Sequence, residues 1–284
     1  MNHAFNFGYL PEEYSSPDNS SIVIVPVPYD GTSTWIKGAD KGPDAIIEAS
    51  ANMELYDIET DSEVYRKGIF TDSPLQDLSF PEDIAETLES IVRYHIEDEK
   101  FVVVIGGEHS ISIGPVKAHA QNHNDITVLQ LDAHSDLRDE YNGSKYSHAC
   151  VMARIAEICP FIQVGVRSMD ASEKERVDKE RIFFAEDILN DKNWIKKVIP
   201  KLSKTTYITI DLDVFDPSIM PSTGTPEPGG LSWYQVLSLL KAVSENTNIV
   251  GFDVVELCPD NRNKAPNFLA AKLIYKMLSY KFGA

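Results

Sequence analysis

The chain has 284 residues, 44 acidic against 26 basic, for a formal net charge of −18. With 43% hydrophobic and 25% charged residues it has the makeup of a folded globular protein, so disorder and low complexity are excluded. Such acidity argues against a generic nucleic-acid binder, which needs basic residues to displace counterions from phosphates, and against an anionic membrane surface. A small cationic ligand would instead be drawn in. No stretch approaches the roughly 18 apolar residues needed to span a bilayer. The N-terminal MNHAFNFGYLPEEYSS has neither the basic nor the apolar region of a secretory signal. Cys150, Cys159 and Cys258 are too few for a disulfide framework, match no zinc spacing, and are expected as small core or near-core residues. A reducing cytoplasm is the expected compartment.

In chain order, apolar runs predict strands at 22–27, 101–107, 127–134, 161–167, 182–185, 207–213 and 249–257. They are apolar on nearly every residue, the pattern of strands covered on both faces. Amphipathic stretches predict helices at 43–57, 82–98, 111–122, 147–158, 171–180, 191–202, 232–246 and 264–280. Gly42-Pro43-Asp44 and Ser232 are recognisable start signals. The alternation predicts an α/β fold, one domain over 1–284, doubly wound around a mainly parallel sheet flanked by helices. The Pro/Gly cluster at 217–230 follows a predicted strand directly, so it reads as an active-site loop rather than a linker.

Chemistry-bearing residues gather at the strand ends. Gly106-Gly107-Glu108-His109 closes one predicted strand, Asp132-Ala133-His134-Ser135-Asp136 the next, Asp211-Leu212-Asp213 a later one, and Glu256 the last. Ligands of open α/β sheets bind beyond the carboxyl ends of the strands, where these clusters can converge. In extended chain, alternate residues share a face, so Asp132, His134 and Asp136 are expected to project together, as are Asp211 and Asp213. Several carboxylates that close would repel unless cations were held among them. Hard oxygen donors mixed with imidazole suit Mn²⁺, and six ligands with shared carboxylates suit two ions, an arrangement that activates water.

The motifs GGEHS (106–110), DAHSD (132–136), TIDLDVFDPSIMPSTGTPEPGG (209–230) and DVVELCP (253–259) resemble the arginase/agmatinase (ureohydrolase) family over nearly the whole chain. VPVPYDGTSTWIKGADKGPDAIIEAS (25–50) resembles the agmatinase branch. Many members read GGDHS where this chain has Glu108, which is not a ligand position. The resemblance implies a three-layer α/β/α fold and a Mn²⁺-dependent amidinohydrolase that turns agmatine and water into putrescine and urea. It implies one ion held by His109, Asp132, Asp136 and Asp211, and a second by Asp132, His134, Asp211 and Asp213. Asp136 would also hydrogen-bond the attacking hydroxide. Glu256 would hold the guanidinium, unless it is only a buried ion-pair partner at a strand end. His148 would shuttle a proton to the leaving amine. Asp170 and Glu173 would contact the distal amine, or else merely cap a helix. N1-aminopropylagmatine, guanidinobutyrate, arginine and formimidoylglutamate are alternative substrates, and an inactive binding homologue is the non-enzyme alternative. A homo-oligomer, trimer or hexamer, is implied as well. Arg138 could greet a substrate carboxylate, but Asp139 is expected to neutralise it. His3, His95, His119 and His123 belong to no motif and are expected at the surface.

Overall fold

The computed structural model describes residues 6–76 and 79–283. Eight strands form one wholly parallel sheet: β1 (Ile22–Val27), β2 (Ile69–Thr71), β3 (Phe101–Gly106), β4 (Ile126–Leu131), β5 (Phe161–Val166), β6 (Ile182–Phe184), β7 (Thr205–Asp211) and β8 (Asn248–Val255). Their spatial order is β2-β1-β3-β8-β7-β4-β5-β6. Alternate residues serve opposite faces, and both faces are apolar. Ile22 and Ile24 of β1, with Phe101, Val103 and Ile105 of β3, enter one core; Val23, Val25, Val102 and Val104 enter the other. That is why these strands read as unbroken apolar runs.

The helices cover both faces, making the α/β/α sandwich that the alternation predicts. They are α1 (Gly42–Ser50), α2 (Pro81–Glu97), α3 (Ile113–Asn122), α4 (Val151–Ile155), α5 (Ala185–Asn190), α6 (Trp194–Val198), α7 (Trp233–Asn246) and α8 (Ala265–Phe282). Helices α1, α7 and α8 pack on the face of Ile22 and Val103, and α2 packs on the opposite one. Helix α7 starts on a capping box in which Ser232 and Gln235 satisfy each other's backbone N–H.

Several expectations need correction. The helix predicted at 171–180 is only a 3-10 turn at Ala171–Glu173, because residues 174–180 offer no apolar stripe to bury. Those at 147–158 and 191–202 are broken into short helical pieces, and α1 stops at Ser50 rather than reaching residue 57. The short β2 and α5 carry too little pattern to be found. His95 and His119 are also not surface residues: both are buried, His95 against Asp72 at 3.0 Å, and His119 between α3 and the sheet beside Gly251. Burial pushes the His119 imidazole down to about 3, so it sits neutral in the core. His123 is intermediate in exposure, and His3 lies outside the described residues.

Away from the sheet ends, Lys276 of α8 is buried with its ammonium 3.1 Å from Asp57 and 2.6 Å from Glu59, pinning the 55–62 loop to the helix. Lys276→Ala is expected to destabilise the fold by about 3–5 kcal/mol, because Asp57 stays buried without its partner. Urea-denaturation midpoints would measure this, and a loss under about 1 kcal/mol would show the pair to be dispensable.

Candidate metal centre and active site

The site sits beyond the carboxyl ends of the four central strands, β3, β8, β7 and β4, with loops from β1 and β5 at its rim. The strands end earlier than predicted, and of the six candidate ligands only Asp211 lies on a strand, as the last residue of β7. β4 stops at Leu131, and Asp136 adopts a left-handed conformation (φ 52°) whose carbonyl accepts the N–H groups of Met152 and Ala153, at the start of α4. β7 stops at Asp211, and Asp213 lies in the 3-10 turn that follows, its N–H held by the Asp211 carboxylate at 2.8 Å. Glu256, just past β8, is left-handed too (φ 68°). Convergence is achieved by turns, not by strand alternation.

His109 Nδ1 lies 3.1 Å from Asp132 Oδ2, 3.2 Å from Asp136 Oδ2 and 3.4 Å from Asp211 Oδ2. His134 Nδ1 lies 3.0 Å from Asp213 Oδ2 and 3.6 Å from Asp132 Oδ1. Two groups of donor atoms result, His109/Asp132/Asp211 and Asp132/His134/Asp213, each within 4.8 Å. Asp132 belongs to both, one oxygen facing each histidine. Sequence reasoning therefore named residues that the fold does bring together.

The electrostatics of the cluster are frustrated without cations. Burial opposes charge on both imidazoles, yet the carboxylates around them push His109 well above its usual range and His134 up to about 12. Burial and the neighbouring Asp132 drive Asp136 up to about 7, and burial with Asp213 and Asp132 drives Asp211 well above the carboxylate range. His109 Nδ1 is buried and, crowded by three carboxylate oxygens, makes no well-formed hydrogen bond. One nitrogen with at most one proton cannot serve three carboxylates, whereas a divalent cation among the four groups would satisfy all of them. The donor set fits a pair of hard divalent ions.

Outer residues, which sequence reasoning missed, lock these ligands in place. His109 Nε2 is 2.8 Å from Thr209 Oγ1, which donates at 2.7 Å to Asp253, itself fully buried and also held by Ser112 and Tyr207. With Nε2 engaged, Nδ1 is the nitrogen left to bind metal. Gln130 Nε2 donates to Asp132 Oδ2 at 2.7 Å and is backed by Gln163. Thr209 and Gln130 precede ligands by two residues and Asp253 precedes Glu256 by three, so a polar residue inside an otherwise apolar strand was the signal to notice.

Glu256 is buried with Oε1 accepting the His109 N–H at 2.8 Å, and burial and the nearby Glu108 push its pKa well up. Burial pushes Glu108 itself up to about 7, against hydrogen bonds from Ser110 and Thr32. His148 lines the same cavity, and burial followed by repulsion from His109 and His134 lowers it to about 4, leaving a neutral imidazole. The cavity, of about 240 Å³, also takes in Trp35, Tyr141, Met169, Asp170, Glu173 and Thr225. The 217–230 loop lines it as expected from the Pro/Gly cluster. Asp216 closes that loop by accepting the N–H groups of Ser218, Gly229 and Gly230, and Arg167 pins it through the carbonyls of Asp213 and Glu227.

Glu173 and Asp170 differ in what they can offer. Glu173 is buried and its carboxylate is taken by Ser135 Oγ, Leu137 N and Asp170 N, so it holds the DAHSD turn in shape. Asp170 closes a capping box with Glu173 and accepts the Ser172 N–H, is partly exposed at the rim and faces Arg138 at 3.5 Å. Arg138 is not neutralised by Asp139, contrary to expectation: Asp139 is engaged by Arg154, Arg176 and Lys145. Arg138 instead lies over the Tyr141 ring between Asp170 and Glu173.

Residues 20–279 match the profile described as the Arginase family. The chain belongs to that family. It is 37% identical to the N(1)-aminopropylagmatine ureohydrolase of Synechocystis over 95% of this chain and 92% of that protein. It is 30% identical to the agmatinase of Pyrococcus horikoshii, over 92% of each. The crystal structure of the agmatine ureohydrolase of Thermoplasma volcanium superposes with a TM-score of 0.86 at 32% identity, covering 94% of this chain and 91% of that one. This chain is accordingly a hydrolase of the binuclear-metal class, and its sheet and sandwich are those of the family. Among the described residues, no helix is long and apolar enough to cross a membrane.

Proposed function

We propose that this arginase-family chain is an amidinohydrolase that cleaves agmatine to urea and putrescine, using two Mn²⁺ ions. Supporting the reading is one observation above all: a buried carboxylate, Glu256, stands beside two histidine–carboxylate groups that share Asp132. His109, Asp132, Asp136 and Asp211 would hold one ion, and Asp132, His134, Asp211 and Asp213 the other. Such a pair, when bound, makes water nucleophilic at neutral pH. Glu256, beside His109, receives the guanidinium and orients it toward the cluster. Asp136, next to His109, orients the attacking water by accepting its hydrogen bond. His148, which lines the same cavity, carries a proton to the departing amine nitrogen. Asp170, at the rim, faces the distal ammonium.

A second substrate, N1-aminopropylagmatine, is favoured by the rim itself: Trp35 is 75% exposed and Met169 42%, apolar surface suited to a longer tail. The name of the Synechocystis relative supports the same extension. Cytoplasmic location and homo-oligomeric assembly complete the proposal; the free Cys150, Cys159 and Cys258 suit a reducing compartment.

Urea release from Mn²⁺-loaded enzyme, measured across agmatine, N1-aminopropylagmatine, guanidinobutyrate and arginine, tests the reading. No urea from any of them would refute it. Glu256→Gln is expected to lower kcat/KM for agmatine by roughly 30-fold or more with metal content unchanged, the scale of removing one partner of a buried charge pair. Wild-type kcat/KM in that variant would remove Glu256 from substrate binding.

A further inference from the structure

Resting on the amidinohydrolase reading, we propose that Thr32 is a positioning residue that holds the Nδ1 edge of the His148 ring and leaves Nε2 to exchange protons with the substrate. Thr32 lies in the loop after β1, 116 residues away from His148 in sequence. Its Oγ1 accepts the His148 backbone N–H at 2.9 Å and lies 3.1 Å from His148 Nδ1.

The hydroxyl of Thr32 has one proton and two lone pairs, so an oxygen that accepts the His148 backbone N–H can still meet Nδ1. Ser147 Oγ, 3.2 Å from Nδ1, is a second hydroxyl at the same edge of the ring. Tyr141, edge-on at 5.8 Å and 88°, packs against the ring and limits its rotation. The Nδ1 edge is thereby engaged by two hydroxyls, and Nε2 is the nitrogen left to pick up and deliver the proton of the reaction. Without the Thr32 hydroxyl the imidazole can turn in its slot, so a fraction of the enzyme meets the substrate in the wrong orientation.

The test compares kcat and KM for agmatine in Mn²⁺-loaded wild type, Thr32→Val, Thr32→Ser, His148→Ala and the Thr32→Val/His148→Ala double variant. Thr32→Val is expected to lower kcat about 10- to 100-fold with KM within about twofold and metal content unchanged. Thr32→Ser, which keeps the hydroxyl, should return kcat to within about threefold of wild type. In the His148→Ala background, Thr32→Val should change kcat by less than about twofold, since its action passes through His148. Thr32→Ala serves for the same comparisons if the valine variant folds poorly. An undiminished kcat in Thr32→Val, an equal loss in both backgrounds, or a serine variant as impaired as valine would each overturn the proposal. Wild-type urea release upholds the underlying reading whichever way Thr32 behaves, and its absence would sink that reading before any variant is compared.

Discussion

Asp132→Asn is expected to reduce urea release by at least about 10⁴-fold and to cost the protein metal at both positions. Asp132 is the residue common to the two donor groups, with Oδ2 3.1 Å from His109 Nδ1 and Oδ1 3.6 Å from His134 Nδ1. Both oxygens are also fixed as acceptors, Oδ2 by Gln130 Nε2 at 2.7 Å and Oδ1 by the His134 N–H at 2.6 Å. An asparagine in either orientation sets its NH₂ against one of these donors, besides removing a negative charge. Losing water activation removes several kcal/mol of transition-state stabilisation, and about 5.5 kcal/mol corresponds to 10⁴ in rate. Chelation of the wild type should reproduce the loss and lower Tm, because the clustered carboxylates lose their counter-charge. Elemental analysis decides the matter alongside the assay. Two ions per chain and substantial activity in Asp132→Asn would refute the shared-ligand assignment.

The second large effect concerns choice of substrate. Agmatine, or its aminopropyl derivative, is expected to exceed arginine by at least about 10³-fold in kcat/KM. The two differ by an α-carboxylate, which would have to lie at the rim. There the Asp170 carboxylate is partly exposed, and Glu227 reaches to 3.9 Å from His134 Nε2. Arg138 is the cation nearest the question, but it is held between Asp170 and Glu173 over the Tyr141 ring. Drawing it away to meet a carboxylate would leave Asp170 without its partner. A second ammonium suits this field, and an anion enters it unpaired. Sites that mismatch buried polar groups discriminate by roughly 10⁴–10⁵, and a rim open to water reduces that figure. Comparable kcat/KM for arginine and agmatine would defeat the expectation and leave the dimetal centre intact.

Much of this was legible in the sequence because parallel strands and metal clusters both leave dense local signals. IVIVPV at 22–27 and FVVVIG at 101–106 must be apolar on both faces, and they were found almost to the residue. DAHSD gathers three candidate ligands in five residues. What failed was the geometry assigned to it. The argument from alternation in extended chain overlooked that the strands stop at Leu131 and Asp211, where tight turns take over. Residues acting through a neighbour were harder still. Thr32, Gln130, Thr209 and Asp253 carry no motif of their own, and their meaning depends on a partner reached only through the fold. Asp139 was misjudged for the same reason: Arg154 and Arg176 are distant in sequence and close in space. The helix predicted at 171–180 shows the converse, a sound start signal at Asp170 with nothing apolar after it to sustain a helix.

Asp136 and Glu256 are non-glycine residues with positive φ, and each costs the fold on the order of 1–3 kcal/mol. A glycine at either place would adopt the same backbone shape with little penalty. Anyone raising the heat tolerance of this enzyme by relaxing unfavourable backbone would be led to these two positions along with Tyr9, Asp61, Glu99 and Asn142, which share the positive φ. Of the six, Asp136 and Glu256 are the ones whose side chains line the crevice. On the roles proposed for these two carboxylates, heritable change faces the same conflict, since a one-step gain in stability at residue 136 or 256 would cost turnover. Gains in robustness are therefore confined to the helices and outer loops, and the crevice keeps its built-in fragility for as long as the chemistry is under selection.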